Sequence, residues 1–224
     1  MDHRPHHHGP GCVRAKRTWA WRRCGFCRNP RPPWTTGHEP SIPPPWPIPS
    51  LDIVKAAVEE AHSLLGKGVA AHVAEPQGVE LALAAGVDEW VHVPCLEISE
   101  DLLQQAVAQG VKIVTTIDTL SHCPGIHANT HKLVHLGAEF LYGAEITHTE
   151  VPRGIDAQEL HLMLHLTGMS PLELFRTATS EAGEHLGLAP LGTLPPGALA
   201  DLIAVRSNPF ELQTAGVPGP GHLR

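Results

Sequence analysis

Residues 68–93 read GVAAHVAEPQGVELALAAGVDEWVHV, and this stretch decides the fold class. It contains two short apolar runs, 69–73 and 89–93, of the kind that forms buried strands. Between them, residues 76–85 have the composition of a helix, and Gly86 follows as a stop signal. Two strands joined by a helix form a βαβ unit, so the stretch predicts a parallel sheet covered by helices.

The alternation of helix and strand continues in both directions. Upstream, Ser50 has the residue type of an N-cap, and a helix is predicted from it to residue 65. Downstream, the pattern predicts helix 99–109, strand 111–117, helix 127–136 and strand 138–143. Four strands at spacings of about 20–30 residues are typical of parallel α/β folds.

Further elements are predicted after residue 143. A helix over 156–167 ends at Gly168. Ser170, Pro171 and Glu173 then have the pattern of a capping box, which opens a helix running to about residue 185. Residues 200–205 (ADLIAV) are predicted to form a last strand.

The first fifty residues differ in composition from the rest. They hold eight of the 16 Lys and Arg and 11 of the 22 Pro, against two acids, and so carry a charge of +6. Residues 51–224 carry −13. Because the first segment has neither helical nor strand periodicity, we predict a disordered segment over 1–49, a folded domain over 50–210 and a flexible tail over 211–224.

Charge and hydropathy exclude several classes of partner. An acidic main body argues against nucleic acid as a partner. No stretch approaches the ~20 apolar residues of a membrane span, and no secretory signal is present, so a cytoplasmic location is predicted. Five cysteines do not form a disulfide framework in a chain this long, and Cys95 and Cys123 are predicted to be reduced thiols.

Two groups of residues in the N-terminal segment suit metals. Cys24 and Cys27 form a C-x-x-C pair with Cys12 upstream and His38 downstream, and such residues can hold zinc. A single pair without a second one is also what chance produces in a segment of this composition. The run from His6 to His8 resembles a short metal-binding tag.

The main candidate site joins two strand ends. His72 lies at the end of one predicted strand and His92 at the end of the next, and carboxyl ends of parallel strands share one edge of the sheet. Neutral imidazoles there suit Zn²⁺ and similar ions. Glu145, just after the fourth predicted strand, would face the same edge and ligate a metal or accept a proton from water. The alternative is that each histidine packs in place and that Glu145 is solvated.

Weaker candidates lie in loops or on a helix surface. They are His148 and Glu150 after the fourth strand, the i, i+4 pair His161 and His165, and Asp118, His122 and Cys123 after the third strand. The helical pair has Leu162 where zinc metalloproteases of the H-E-x-x-H type have their general base, so it is interpreted as a pair of surface histidines.

Several of these segments resemble the amidohydrolase superfamily, in particular its imidazolonepropionase-like and prolidase-like branch. VAAHV (69–73), GVELALAAGVD (78–88) and WVH (90–92) resemble its fifth and sixth strand region. GVKIVTT (110–116) resembles the seventh strand, and LGAEFLYGAE (136–145) resembles the approach to the eighth. TGMSPLEL (167–174), ATSEA (178–182), LGL (186–188) and GTLPPGALADLI (192–203) resemble the helix pair that follows and the return to a small β-domain.

The resemblance implies a partial (β/α)8 barrel of the TIM type, with strands 5–8, their helices and a remnant of the small β-domain. It implies a hydrolase that cleaves C–N bonds of amides or cyclic amides with metal-activated water, and a divalent ion, Zn²⁺ in the first place. His72 maps to a metal ligand, His92 to a metal ligand or substrate contact, and Glu145 to the eighth-strand Asp that binds metal and activates water.

Three departures from the family pattern favour a protein without catalytic activity. The first-strand H-x-H pair and the fourth-strand lysine have no counterpart, and Glu145 is one methylene longer than Asp. A truncated, non-catalytic remnant or an interaction module is therefore the alternative. Because four strands leave two open edges, two copies are predicted to pair as a homodimer that completes the barrel.

Overall fold

A computed structural model describes the backbone of residues 12–15 and 22–23 and residues 48–146, 151, 154–188, 190–205, 208 and 210. The cysteines and histidines of residues 1–47 that were predicted to suit metals lie outside the described residues, except for the backbone of Cys12. His148, Glu150 and the tail 211–224 also lie outside them. Within the described part of the chain, no helix is long and apolar enough to cross a membrane.

The predicted alternation of helix and strand is confirmed from residue 51 to residue 141. Its elements are α1 (Leu51–Leu65), β3 (Val69–His72), α2 (Pro76–Ala85), β4 (Glu89–Val91), α3 (Glu100–Ala108), β5 (Lys112–Val114), α4 (Ile126–His135) and β6 (Phe140–Leu141). Helix α2 has the predicted bounds because Pro76 favours the first helical turn and Gly86 adopts φ +76°, which ends it.

Four of the strands form a parallel sheet in the order β3-β4-β5-β6. The register pairs His72 with Val91, Val91 with Val114, and Val114 with Leu141. The carboxyl ends of these strands therefore lie side by side along one edge.

Two short strands in the N-terminal segment were not foreseen. β1 (Cys12–Ala15) pairs antiparallel with β3, and β2 (Arg22–Arg23) pairs antiparallel with β1. The sequence prediction gave this segment no regular structure, because strand periodicity does not show in runs of two to four residues. The pairing supplies the outer edge of β3 with hydrogen-bonding partners, so the expectation that this edge is open for a second copy is wrong.

The core lies between the sheet and its helices. Its fully buried members include Trp90 on β4, Ile113 on β5, Leu103 on α3 and Leu133 on α4. These side chains come from both strands and helices, as expected when helices cover a parallel sheet. The core holds the strand ends at fixed positions.

The last part of the chain differs from the prediction. α5 (Ala157–Thr167) is present as predicted. After it, the single helix predicted from Ser170 to about residue 185 is divided into α6 (Pro171–Ala178) and α7 (Ser180–His185). The helix breaks at Thr179, whose φ of −128° and ψ of −97° are not helical. The prediction of a strand over residues 200–205 is wrong, since these residues form no strand and Leu202, Ile203 and Val205 are exposed.

The predicted reduced thiols at Cys95 and Cys123 are also contradicted. The structure joins them in a disulfide, with their Cα atoms 4.8 Å apart. The sequence separation of 28 residues gave no sign of this contact, because it depends on how the two loops after β4 and β5 pack. The backbone N–H of Gly125 also donates to the carbonyl of Cys95 at 2.8 Å, so the two loops are joined twice.

Candidate active site

His72, His92 and Glu145 meet at the carboxyl ends of the parallel strands, as predicted. The Nδ1 atom of His72 lies 2.7 Å from the Nε2 atom of His92, and their ring centroids are 4.6 Å apart. Oε2 of Glu145 lies 3.0 Å from the same Nε2 atom. Two polar atoms thus converge on a single imidazole nitrogen.

The ring of His92 reaches this position through an unusual backbone. Paired residues on neighbouring strands point to the same face, so the pairing of His72 with Val91 would send the next residue, His92, to the opposite face. His92 instead has φ +113°, which interrupts the alternation. The ring then meets that of His72 while its backbone N–H still donates to the carbonyl of Val114 at 3.0 Å.

Positive φ angles recur at this site. The described residues other than glycine that adopt them are His92, Thr116 with φ +88°, and Glu145 with φ +48°. Each follows a different strand, and such backbone conformations cost of order 1–3 kcal/mol each. The strain is therefore concentrated at the strand ends that carry the candidate site.

Burial sets the charge state of His72. Desolvation by burial and, second, the neighbouring His92 lower the pKa of His72 to about 4, with Glu145 opposing the shift. His72 is therefore a neutral imidazole at neutral pH, which is the form that binds metal ions.

Thr116 is the other polar neighbour of His92. Its Oγ1 atom lies 2.6 Å from Nδ1 of His92, and its side chain is 2% exposed. A hydroxyl can donate to Nδ1 or accept from it, so in either tautomer this contact holds the ring with Nε2 directed toward His72 and Glu145. The sequence gave no signal for Thr116, which lies next to an apolar strand with no spacing that relates it to His92.

The donor types of this cluster fit a divalent metal ion. Two imidazole nitrogens and a carboxylate oxygen are ligands that Zn²⁺ takes, and a cation between them would satisfy all three lone pairs. Donors on one tetrahedral zinc stand roughly 3.3 Å apart, so the cluster would have to open by roughly 0.3–0.6 Å. In the structure, His72 and Glu145 each contact Nε2 of His92 directly, and no group of three His, Cys, Asp or Glu among the described residues is arranged to hold a metal ion.

The weaker candidates lie elsewhere. The backbone N–H of Asp118 donates to Glu159, and the pKa of Asp118 is raised by burial and by Asp156. His122 is exposed, and Cys123 is in the disulfide. The rings of the α5 pair, His161 and His165, stack edge to face at 4.4 Å.

The likeness to known proteins first identifies the fold. The chain aligns with the crystal structure of a Xaa-Pro dipeptidase with bound methionine at a TM-score of 0.63 and 24% identity, over 74% of this chain and 45% of that one. It aligns with the crystal structure of ochratoxinase from A. niger at a TM-score of 0.61 and 24% identity, over 75% of this chain and 41% of that one. These likenesses identify an α/β fold like that of a TIM barrel.

The sequence comparisons then identify the family. Residues 30–219 match the model of the amidohydrolase family, and the chain belongs to that family. It is 32% identical to ochratoxinase from Aspergillus niger over 182 residues, covering 72% of this chain and 37% of that protein. It is 28% identical to imidazolonepropionase from Deinococcus deserti over 165 residues, covering 69% of this chain and 41% of that protein. The chain spans about two fifths of the length of these curated relatives.

Proposed function

We propose that this chain hydrolyses carbon–nitrogen bonds of small amides or cyclic amides with the help of a bound divalent metal ion, Zn²⁺ in the first place. The observation that carries the proposal is the convergence of His72 Nδ1 and Glu145 Oε2 on His92 Nε2, at 2.7 and 3.0 Å. Family membership supports the class of reaction, since amidohydrolases act on amide-type bonds. We further propose that residues 50–210 form strands 5–8 of a (β/α)8 barrel.

Each residue has a distinct proposed role. His72 and His92 would hold the ion through Nδ1 and Nε2, the atoms that face each other. When bound, the ion would supply Lewis acidity toward a carbonyl oxygen and a water molecule. Glu145 is 20% exposed at its side chain, so its carboxylate can accept a proton from a molecule entering from solvent while it contacts His92.

Metal content per chain tests this proposal. Untagged protein, purified without added metal, is analysed for bound elements beside a His72→Ala, His92→Ala double variant. The matched control is His161→Ala, His165→Ala, which removes the same number of imidazoles from the surface of α5. We expect about one tightly held ion in the wild type and in the control, and none in the site variant. Equal loss in both variants, or no bound metal at all, would overturn the proposed site.

Activity is tested separately on the metal-loaded protein. The substrates are a panel of N-acyl amino acids and cyclic amides, and Glu145→Gln is the comparison variant because it keeps the shape of the side chain and loses the basic carboxylate. We expect hydrolysis by the wild type and a loss on the order of 10²-fold or more in the variant. Equal rates for the two proteins would refute the role of Glu145.

The alternative is a truncated, non-catalytic member of the family that serves as an interaction module. The observation that favours this alternative is that His72 and Glu145 each contact His92 directly, and no group of three His, Cys, Asp or Glu among the described residues is arranged to hold an ion. A protein that binds no metal and hydrolyses no member of the panel would support this alternative. Pairing of two copies to complete the barrel is tested by sedimentation, where a monomer at all concentrations would argue against it.

A further inference from the structure

The structure contains a buried acid that the proposed chemistry does not use. Glu159 lies on the inner face of α5 and is 0% exposed, next to the buried side chains of Leu160 and Met163. Desolvation by burial raises the pKa of this carboxyl group, while hydrogen bonds from backbone N–H groups and from Thr115 act in the opposite direction. A carboxyl group in such a position is costly unless it is hydrogen-bonded.

The hydrogen bonds of Glu159 go to the chain just after β5. Its Oε1 atom accepts from the backbone N–H of Thr116 at 2.8 Å, and its Oε2 atom accepts from the N–H of Asp118 at 2.7 Å. One carboxylate thus bridges two alternate residues of the segment in which Thr116 has φ +88°. The bridge supports a strained backbone that would otherwise relax.

Thr116 connects this bridge to the candidate active site. Its backbone is fixed by Glu159 and its hydroxyl by His92, whose Nδ1 atom lies 2.6 Å away. The other nitrogen of the same ring faces His72 and Glu145. A continuous series of short contacts therefore runs from α5 through the β5 loop to the imidazole.

We propose that Glu159 is a positioning residue, which fixes Thr116 so that its hydroxyl holds Nδ1 of His92 and keeps Nε2 of the same ring directed at His72 and Glu145. This positioning role concerns His92, a proposed metal ligand. Its importance for catalysis therefore rests on the proposed function. The geometry of His92 itself does not depend on whether the chain hydrolyses anything. Partners that orient a ligating histidine influence metal affinity by about 10–100-fold when they are changed.

The test variant is Glu159→Gln. Glutamine has one carbonyl oxygen, so one of the two N–H donors loses its acceptor and meets an NH₂ group. A second variant, Thr116→Val, removes the hydroxyl that contacts His92 while keeping the size of the side chain and leaving Glu159 in place. Leu174→Ala, in the core on α6, is the control for general loss of stability.

The readout is the ¹⁵N chemical shifts of the His92 ring in metal-free protein, assigned by their absence in a His92→Asn variant. In the wild type we expect one protonated and one unprotonated ring nitrogen with separate shifts, because Thr116 on one side of the ring and His72 and Glu145 on the other hold it in one tautomer. In Glu159→Gln and in Thr116→Val we expect the two shifts to move toward each other as the tautomers mix. Leu174→Ala should leave them in place.

Titration with Zn²⁺ gives a second readout, and we expect binding to weaken by about 10-fold in both site variants. Unchanged His92 shifts in folded Glu159→Gln would overturn the proposal, and so would a change in Leu174→Ala as large as that in Glu159→Gln. If Glu159→Gln does not fold, unchanged shifts in Thr116→Val overturn it. If the wild type binds no Zn²⁺ while the shifts respond as expected, the proposed function fails and the positioning role stands.

Discussion

The positive φ of His92 predicts an unusual order of stability between its glycine and alanine variants. At most sites, replacing a residue by glycine destabilises the fold more than replacing it by alanine, by about 0.5–1 kcal/mol, because glycine loses more conformational freedom on folding. At His92 the φ of +113° costs an alanine about as much as it costs the histidine, of order 1–3 kcal/mol, and costs glycine almost nothing. The usual order should therefore be reversed.

The comparison uses His92→Gly and His92→Ala. Both variants lose the ring and its contacts with His72, Thr116 and Glu145, so the difference between them isolates the backbone. Subtracting the ordinary disadvantage of glycine from the strain leaves the glycine variant more stable by up to roughly 2.5 kcal/mol. For a chain of this size, that corresponds to a difference in Tm of up to about 10 °C.

Urea unfolding followed by circular dichroism measures the difference. The matched control is the same pair of substitutions at His72, which lies in β3 and is not among the described residues with positive φ. There we expect the alanine variant to be the more stable one. If alanine is also the more stable residue at position 92, then the backbone at His92 is not strained and the explanation of how its ring reaches His72 is wrong.

Three further predictions concern the loops beside the site. Asn129→Ala removes three hydrogen bonds to the backbone of the loop after β4 and should destabilise the protein by about 2–5 kcal/mol in urea unfolding. Thr130→Val, equally buried on the same helix, should cost less than about 1.5 kcal/mol, and equal losses would contradict this role of the amide. Gly125→Ala should destabilise by about 1–3 kcal/mol because its Cβ would overlap backbone atoms of the loop after β4, whereas Gly78→Ala, with no atom within 4 Å of its Cβ, should stabilise by up to about 1 kcal/mol. A gain in Tm for both glycine variants would show that the two loops approach less closely. Asp118 has a pKa raised by burial and by a neighbouring carboxylate, so wild-type stability should fall as pH rises above 3.8, the usual Asp value, through the raised pKa. Asp118→Asn should lose this component, and a Tm difference between variant and wild type that does not change with pH would refute it.

Local sequence determined the part of the fold that could be predicted. Helix α2 was predicted with its observed bounds because proline at its start and Gly86 after its end act within one turn. The placement of His72, His92 and Glu145 along one edge followed from their positions at the ends of parallel strands, since those ends lie side by side. These inferences need only the order of elements along the chain.

The rest depended on contacts between distant residues. Thr116 and Glu159 belong to the site through two hydrogen bonds that span 24 and 43 residues, and neither spacing has a pattern. An acid on the inner face of a helix was the available signal for Glu159, because helical periodicity places it near the buried Met163. The disulfide of Cys95 depends on loop packing in the same way. Strand alternation alone would have placed the rings of His72 and His92 on opposite faces of the sheet. The positive φ of His92 brings them to the same face.

Two supports of the candidate site come from helices that follow its strands. α4 carries Asn129, whose amide holds the loop after β4, and α5 carries Glu159, whose carboxylate holds the loop after β5. The disulfide of Cys95 joins the same two loops. The strained backbone of His92 and Thr116 is thus held by contacts within the described residues. None of these contacts involves a substrate, so the tautomers of the two histidines and the strain of this backbone can be measured without one.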